Sequence, residues 1–163
     1  MNQGYSTKNL RIRPARVEDV GRIMEMEREK ENCRFVSQDS EASHRMTIQD
    51  EDKELMMILH EEEIIGFYFG LLHDSDVYEL RRFVIEKKGR GFGREVLLAL
   101  FPRLFSEGVH RIWLDVYPDN LPGISLYESI GMHRDGTLRQ SHREEDGSYR
   151  DQHIYSLLCN EMP

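Results

Sequence analysis

The chain has 163 residues, 39% hydrophobic and 32% charged, with 30 acidic against 22 basic side chains and a formal net charge of −8. That length suits one domain with a real core, and the negative balance works against nonspecific nucleic-acid binding. No apolar run approaches the ~20 residues of a membrane span, and the start, MNQGYSTKNL, has no apolar signal core. Cys33 and Cys159 stand far apart in no CxxC pair and read as incidental thiols of a reduced cytoplasmic protein. The histidines are dispersed, with no HExxH and no Cys/His ligand spacing, so no metal is expected.

Met1–Asn9 is polar and is expected to be a flexible terminus, leaving residues 10–163 as the single domain. Leu10–Pro14 alternates apolar and basic residues as a short strand does, and Pro14 stops it. A helix follows to about Lys30, with Val17, Val20, Ile23, Met24 and Glu27 at helical spacing. Asn32–Ser40 reads as a loop and Glu41–Asp50 as a second helix. Glu54–His60, Ile64–Leu72 and Val77–Ile85 are strands joined by short polar turns, which implies an antiparallel meander.

A glycine-dense cationic turn, Lys87–Arg94, then leads into an apolar stripe at Leu97, Leu100, Phe101, Leu104 and Phe105. Pro102 lies inside that helix and is expected to kink or break it. Arg111–Tyr117 is the next strand, reached by a right-handed parallel crossover. Leu121–Ile130 is a short helix with Pro122 in its first turn and Gly131 at its end. Two last strands, Met132–Arg139 and His153–Leu158, flank a polar loop with an Asp146-Gly147 hairpin signal.

Strand, glycine turn and helix in that order place free backbone N–H groups and a positive dipole end at one point, a ready anion site. Gly89, Gly91 and Gly93 let an anion approach the backbone, while Lys87, Lys88, Arg90 and Arg94 add charge. Two common phosphate motifs fail. Arg94 stands where GxGxxG needs its third glycine, and no Gly-Lys-Ser/Thr completes a P-loop.

A downstream block narrows the choice. The turn Lys88-Gly89-Arg90-Gly91-Phe92-Gly93 resembles the [Q/R]xxGx[G/A] pyrophosphate loop of the GNAT acetyltransferase superfamily, and Asn120–Met132 resembles its NxxAxxLYExxGF block. Lys88 replaces the usual Gln or Arg, keeping charge but losing the planar fork. Gly123 and Met132 replace the usual Ala and Phe, both packing changes. The likeness runs from Leu10 to Leu158, and the Gly-Phe of the third strand, Arg111–Val116 and the C-terminal hairpin look like the branch with polyamine and ribosomal-protein N-acetyltransferases.

The resemblance implies an α/β (α+β) fold: a mixed, mostly antiparallel sheet of about seven strands, splayed between the fourth and fifth, with about four helices. It also implies acetyl-CoA as cosubstrate. Pantetheine would pair with the backbone at Phe83, Val84 and Ile85. The pyrophosphate would rest on the turn formed by Lys88, Gly89, Arg90, Gly91, Phe92, Gly93 and Arg94, and Asn120 would contact the coenzyme. An amine attacks only when neutral, so its proton needs an acceptor, the departing thiolate needs an acid, and the oxyanion needs a donor such as a backbone N–H near Phe83. Tyr127 stands at the family's acid position, and Glu79 is the candidate base, with Tyr78 and His73 behind it. Glu31, Asn32 and Phe35 are in the loop that lines the acceptor site in this family. A polyamine, a protein N-terminus and an amino sugar are all open as acceptors, and the acidic composition leans to the first. Relatives are often dimers, so a homodimer is an expectation. The alternative is a non-catalytic coenzyme A-binding regulatory domain on the same fold.

Overall fold

The computed structural model describes residues 3–32, 34–74 and 76–162. In chain order its elements are β1 (Tyr5–Ser6), β2 (Leu10–Pro14), α1 (Val20–Arg28), α2 (Glu41–Gln49), β3 (Lys53–His60), β4 (Glu63–His73) and β5 (Val77–Ile85), followed by α3 (Phe92–Ser106), β6 (Arg111–Val116), α4 (Leu121–Ser129), β7 (His133–Arg143) and β8 (Tyr149–Leu158). The strands form one sheet in the order β1-β2-β3-β4-β5-β6-β8-β7. Every neighbouring pair is antiparallel except β5 with β6, the strands joined through α3.

β3 and β4 are buried along almost their whole length, because helices cover both faces of the sheet at its centre. On one face α3 and α4 pack against Met56, Ile58, Tyr68, Leu80 and Leu114. On the other, Ile23 and Met26 of α1 and Ile48 of α2 pack against Met57, Phe67, Phe69 and Val84. A wholly buried carboxylate, Glu54, ties the first layer together. Tyr78 donates to its Oε2 at 2.7 Å, and Arg103 reaches its Oε1 at 2.7 Å. The Tyr78 phenol fits because Gly70 has no side chain: a Cβ there would lie 1.8 Å from the hydroxyl.

The structure departs from the sequence expectations in four places. The terminal stretch supplies an eighth strand, since Tyr5–Ser6 pairs with Ile12 and Arg11, and Glu95 accepts hydrogen bonds from Thr7 and Asn9. The inner stripe of α1 is Val20, Ile23, Met26 and Glu27, while Val17 stays 39% exposed in a 3-10 turn. α3 runs unbroken through Pro102. The carbonyl that loses its donor there belongs to Leu98, on the exposed side of the helix, where water can serve it. β7 and β8 are longer than expected, because β7 accommodates extra residues in a bulge between Leu138 and His142, with Gln140 at φ 52°. Cys159 is exposed and unpaired, and Cys33 lies outside the described residues.

The β3–β4 turn carries avoidable strain. Glu61 and Glu62 sit at φ 49° and 65°, the left-handed pair of a two-residue hairpin that Asn-Gly adopts best. Replacing Glu61-Glu62 by Asn-Gly should raise the unfolding free energy by about 1 kcal/mol, read as a higher urea midpoint at unchanged slope. The exposed Arg11–Glu62 pair lost with it contributes little. An unchanged or lower midpoint would show that the turn is not strained.

Candidate active site

β5 and β6 pair over only three residues, Val77, Tyr78 and Glu79 against Arg111, Ile112 and Trp113. β5 continues to Ile85, paired with β4 alone, and β6 continues to Val116, paired with β8 alone. The edge of β5 at Phe83–Ile85 therefore faces a gap with its backbone groups free to accept another extended chain. That gap is a cleft of about 330 Å³ lined on one side by Leu80–Phe83 and Ile85 and on the other by Asp115–Tyr117. Leu126 and Tyr127 of α4 and the turn before α3 close its ends.

The turn is shaped for an anion. Gly91, the N-cap of α3, takes the left-handed conformation at φ 77°, and no side chain caps the helix. Glu95 is the first residue whose N–H returns to the turn, to the Gly91 carbonyl at 3.0 Å. The amides of Phe92, Gly93 and Arg94 thus have no helical acceptor and point out of the N-terminus. Gly93 also keeps the approach narrow but open: a Cβ there would press within 3.3 Å of Leu126 and 3.4 Å of Phe83.

A β-bulge decides what β5 shows to each face. Phe69 opposes Arg82 while Gly70 opposes Leu80, so Arg81 is the extra residue. The bulge resets the alternation. Leu80 and Phe83 face α3 and α4, whereas Arg82 and Val84 face α1 and α2. Arg82 then anchors the helical layer above the cleft. Its guanidinium meets Glu27 at 3.2 Å, Asp39 at 2.9 Å and the Ser37 hydroxyl at 3.0 Å, and Glu27 also holds His44 at 3.0 Å. These contacts fix the loop after α1, whose Asn32, Phe35 and Val36 roof the cleft.

Two carboxylates lie near the point where the strands part, and they differ. Glu79 is spoken for: Arg81 forks both its oxygens at 2.9 and 3.0 Å, and His73 lies 2.8 Å away. Burial alone would raise its carboxyl, but the bonds from Arg81 and His73 outweigh that and hold it below the usual glutamate range. Asp115 lines the cleft and takes one hydrogen bond, from Gln152 at 2.9 Å to Oδ1. Close protein atoms around it, and then the charge of Glu79, push its carboxyl up, only partly offset by Gln152 and Arg81. Tyr127 lines the opposite wall, its hydroxyl bonded to no described residue. Burial, then the nearby charge of Asp115, raises its phenol well above the ordinary tyrosine value, so it stays protonated.

Other sequence candidates are distributed as follows. Phe83, Ile85, Gly89, Gly91, Phe92, Gly93, Arg94 and Asn120 line the cleft, as do Lys88, Asn32 and Phe35. Lys88 donates to the Asn32 side-chain Oδ1 at 3.2 Å and lies 3.6 Å from the Glu31 carboxylate, so its charge is shared with the roof loop. Asn120 caps α4 by accepting from the Gly123 N–H at 3.1 Å. Val84 turns its side chain to the other face, Arg90 stacks on the Phe92 ring, and neither they, Glu31 nor Glu79 are among the lining side chains. Tyr78 points into the core toward Glu54. Sequence reading passed over Asp115. A lone acid at the carboxyl end of the crossover strand was the available signal, since ligands collect at that end.

A family model described as the acetyltransferase (GNAT) family matches residues 22–132. A ribosomal protein bS18 alanine N-acetyltransferase of Salmonella typhimurium is 35% identical over 68 residues, 42% of this chain and 45% of its own length. A mycothiol acetyltransferase of Corynebacterium glutamicum is 26% identical over 93 residues, 56% of this chain and 30% of its own. The chain therefore spans less than half the length of these curated relatives. The crystal structure of the ribosomal-protein-S18-alanine N-acetyltransferase from Escherichia coli superposes with a TM-score of 0.75 at 23% identity, over 92% of this chain and 94% of that one. At that identity it shows a shared fold.

The lowered Glu79 carboxyl has a consequence for stability. Its contribution is full above the unfolded pKa near ~4.3 and is lost as pH falls through the lower folded value. Glu79→Gln should cost about 1–2 kcal/mol at pH 7, discounted because Arg81 and His73 are partly exposed. Urea melts should show that deficit closing below about pH 4. A deficit independent of pH would mean that Glu79 acts through packing alone.

Proposed function

The chain belongs to the acetyltransferase (GNAT) family, and from that premise we propose that it moves an acetyl group from acetyl-CoA to a primary amine, by direct attack in a ternary complex. The observation that carries the reading is the slot between β5 and β6, with a free strand edge along it and an uncapped helix N-terminus at its end. An extended arm ending in a phosphate fits that combination. The strand edge at Phe83–Ile85 would pair with the arm, and the amides of Phe92–Arg94, with Arg94 beside them, would hold the pyrophosphate. Bound acetyl-CoA supplies the acyl group already activated as a thioester.

The remaining work falls to side chains on the two faces of the gap. Asp115 projects from β6 on the face shared with Glu79 and Arg81, away from Leu114 and Val116, which pack under α3 and α4. An incoming ammonium loses its proton to Asp115, directly or through one water, and the neutral nitrogen forms the new bond to the acetyl carbon. The carbon–sulfur bond breaks, and Tyr127 gives the departing sulfur its proton from the opposite face. As the intermediate collapses, its nitrogen gives up a second proton to solvent, Asp115 returns its own proton to solvent and Tyr127 regains one, so the balance is one ammonium and one thioester in, one amide, one thiol and one proton out. Asp115 suits the base role better than Glu79, because one of its oxygens has no partner among the described residues and its raised carboxyl makes it the stronger base.

Thiol release in the presence of acetyl-CoA and a panel of amines tests the assignment. Asp115→Asn and Tyr127→Phe should each lower kcat about a hundredfold or more while the affinity for coenzyme A measured by calorimetry stays within a few-fold. Turnover by Tyr127→Phe equal to wild type would remove the phenol from the mechanism. Coenzyme binding without turnover of any amine by the wild-type protein would leave a binding domain in place of an enzyme.

A further inference from the structure

Among the described residues one carboxylate, Asp115, lines the cleft, and three that stand behind its walls, Glu79, Asp119 and Glu144, are already neutralised within the chain. Glu79 is forked by Arg81. Asp119 pairs with Arg150 and, at 3.4 Å, with Arg34, and Glu144 lies 3.2 Å from Arg150. Arg150 is the hub of this wall, because it also donates to the Arg34 carbonyl at 2.7 Å and lies 3.7 Å above the Tyr117 ring. The exception is Asp115, whose one hydrogen bond comes from a neutral amide. The acceptor end therefore offers a single uncompensated negative charge. A polyamine carries two or more ammonium groups, and its second cation would meet carboxylates that already have arginines.

Beside that lone carboxylate stands a donor. Arg81, the bulge residue of β5, lines the cleft with its side chain 42% exposed. Its Nε and one terminal nitrogen hold Glu79, and the other terminal nitrogen has no partner among the described residues. The fork to Glu79 and the Phe69 ring, 5.8 Å below, keep the guanidinium from swinging away. A fixed N–H donor next to an ammonium-seeking carboxylate matches a molecule whose amine and carbonyl oxygen sit on adjacent carbons.

Building on the transferase reading above, we propose that the acceptor is an α-amino carbonyl compound, with Asp115 taking the amine and Arg81 the neighbouring carbonyl oxygen. The chemistry of the amine agrees. An α-amino group has a pKa near ~8, against ~10 for an alkylamine, so a carboxylate that is raised but still acidic has far less to overcome in freeing it. This reverses the lean toward polyamines that the acidic composition suggested, since surface charge is spread over the chain while selection rests on what is left unpaired at the cleft. The same chemistry is found at a peptide N-terminus and in a free amino-acid amide.

The test is an acceptor panel at saturating acetyl-CoA, read by thiol release: an unblocked alanyl peptide, alanine amide, spermidine, glucosamine and n-butylamine. The inference expects kcat/KM for the peptide, the amide or both to exceed that for spermidine at least tenfold, and the two arms then separate the sources. Arg81→Ala should lower kcat/KM for the better of these two at least tenfold more than for n-butylamine, and Arg81→Lys should restore part of the difference. Spermidine turnover equal to or above the α-amino carbonyl acceptors would overturn the inference and leave the transferase reading intact, as would an unchanged preference in Arg81→Ala. Coenzyme binding with no turnover of any amine would fall on the transferase reading itself and take this inference with it.

Discussion

Two adjacent parallel strands that hydrogen-bond for three residues and then part leave the facing edges of β5 and β6 without a strand between them, in the interior of the sheet. Unpaired strand edges inside a domain are costly unless something occupies them, and the surrounding structure works to keep this one open. Below the parting point, Glu54 joins β3, β5 and α3 through Tyr78 and Arg103, so the paired ends of the strands sit on a fixed base. Above it, Phe83, Leu126 and the bare backbone of Gly93 meet closely enough to set the spacing between β5, α3 and α4. The bulge at Arg81 lets a single strand serve both layers while presenting its edge to the gap.

Electrostatics then divides the work among groups of the same chemical type. Glu79 and Asp115 are both carboxylates near the parting of the strands, yet paired hydrogen bonds pull one down, while crowding by protein atoms and a like charge push the other, more exposed one up. The difference is one of partners: a guanidinium fork and an imidazole for the first, a neutral amide for the second. Arginine acts as the neutralising residue throughout, with Arg82 under the helical roof, Arg150 across the hairpin wall and Arg81 at the bulge. The contacts of Arg82 and Arg150 tie separate elements together, while Arg81 forks a carboxylate of its own strand, uses that suit a planar group better than a lysine ammonium.

Much of this was legible in the chain. The meander, the crossover and both site helices follow from periodicity and turn residues, and β5 was bounded at Val77–Ile85 as the structure has it. What escaped were features set by distant neighbours. Tyr5–Ser6 becomes a strand because β2 lies beside it, which no local pattern announces. Pro102 fits a continuous helix because the donor it lacks falls on the solvent side. Lys88 lines the cleft as its position suggested, and its contacts with Asn32 and Glu31 of the roof loop are set by tertiary structure. Glu79 was singled out and Asp115 passed over, and only the structure shows that Arg81 and His73 hold the first while a neutral amide alone bonds the second.

By itself the sequence determined the order and type of the elements after β1 and the glycine turn ahead of α3, because periodicity, turn chemistry and the conformational freedom of Gly91 are local properties of the chain. It also fixed which residue types were available at the gap. Only the tertiary structure decided which of them would be free. Arg81 and His73 consume Glu79, Arg150 and Arg34 consume Asp119, and a bulge one residue long turns Arg81 toward the cleft. Charge compensation depends on distances of a few ångströms, between near neighbours for Glu79 and between segments far apart in the chain for Asp119, and those distances exist only once the sheet has closed on one side of the gap and stayed open on the other.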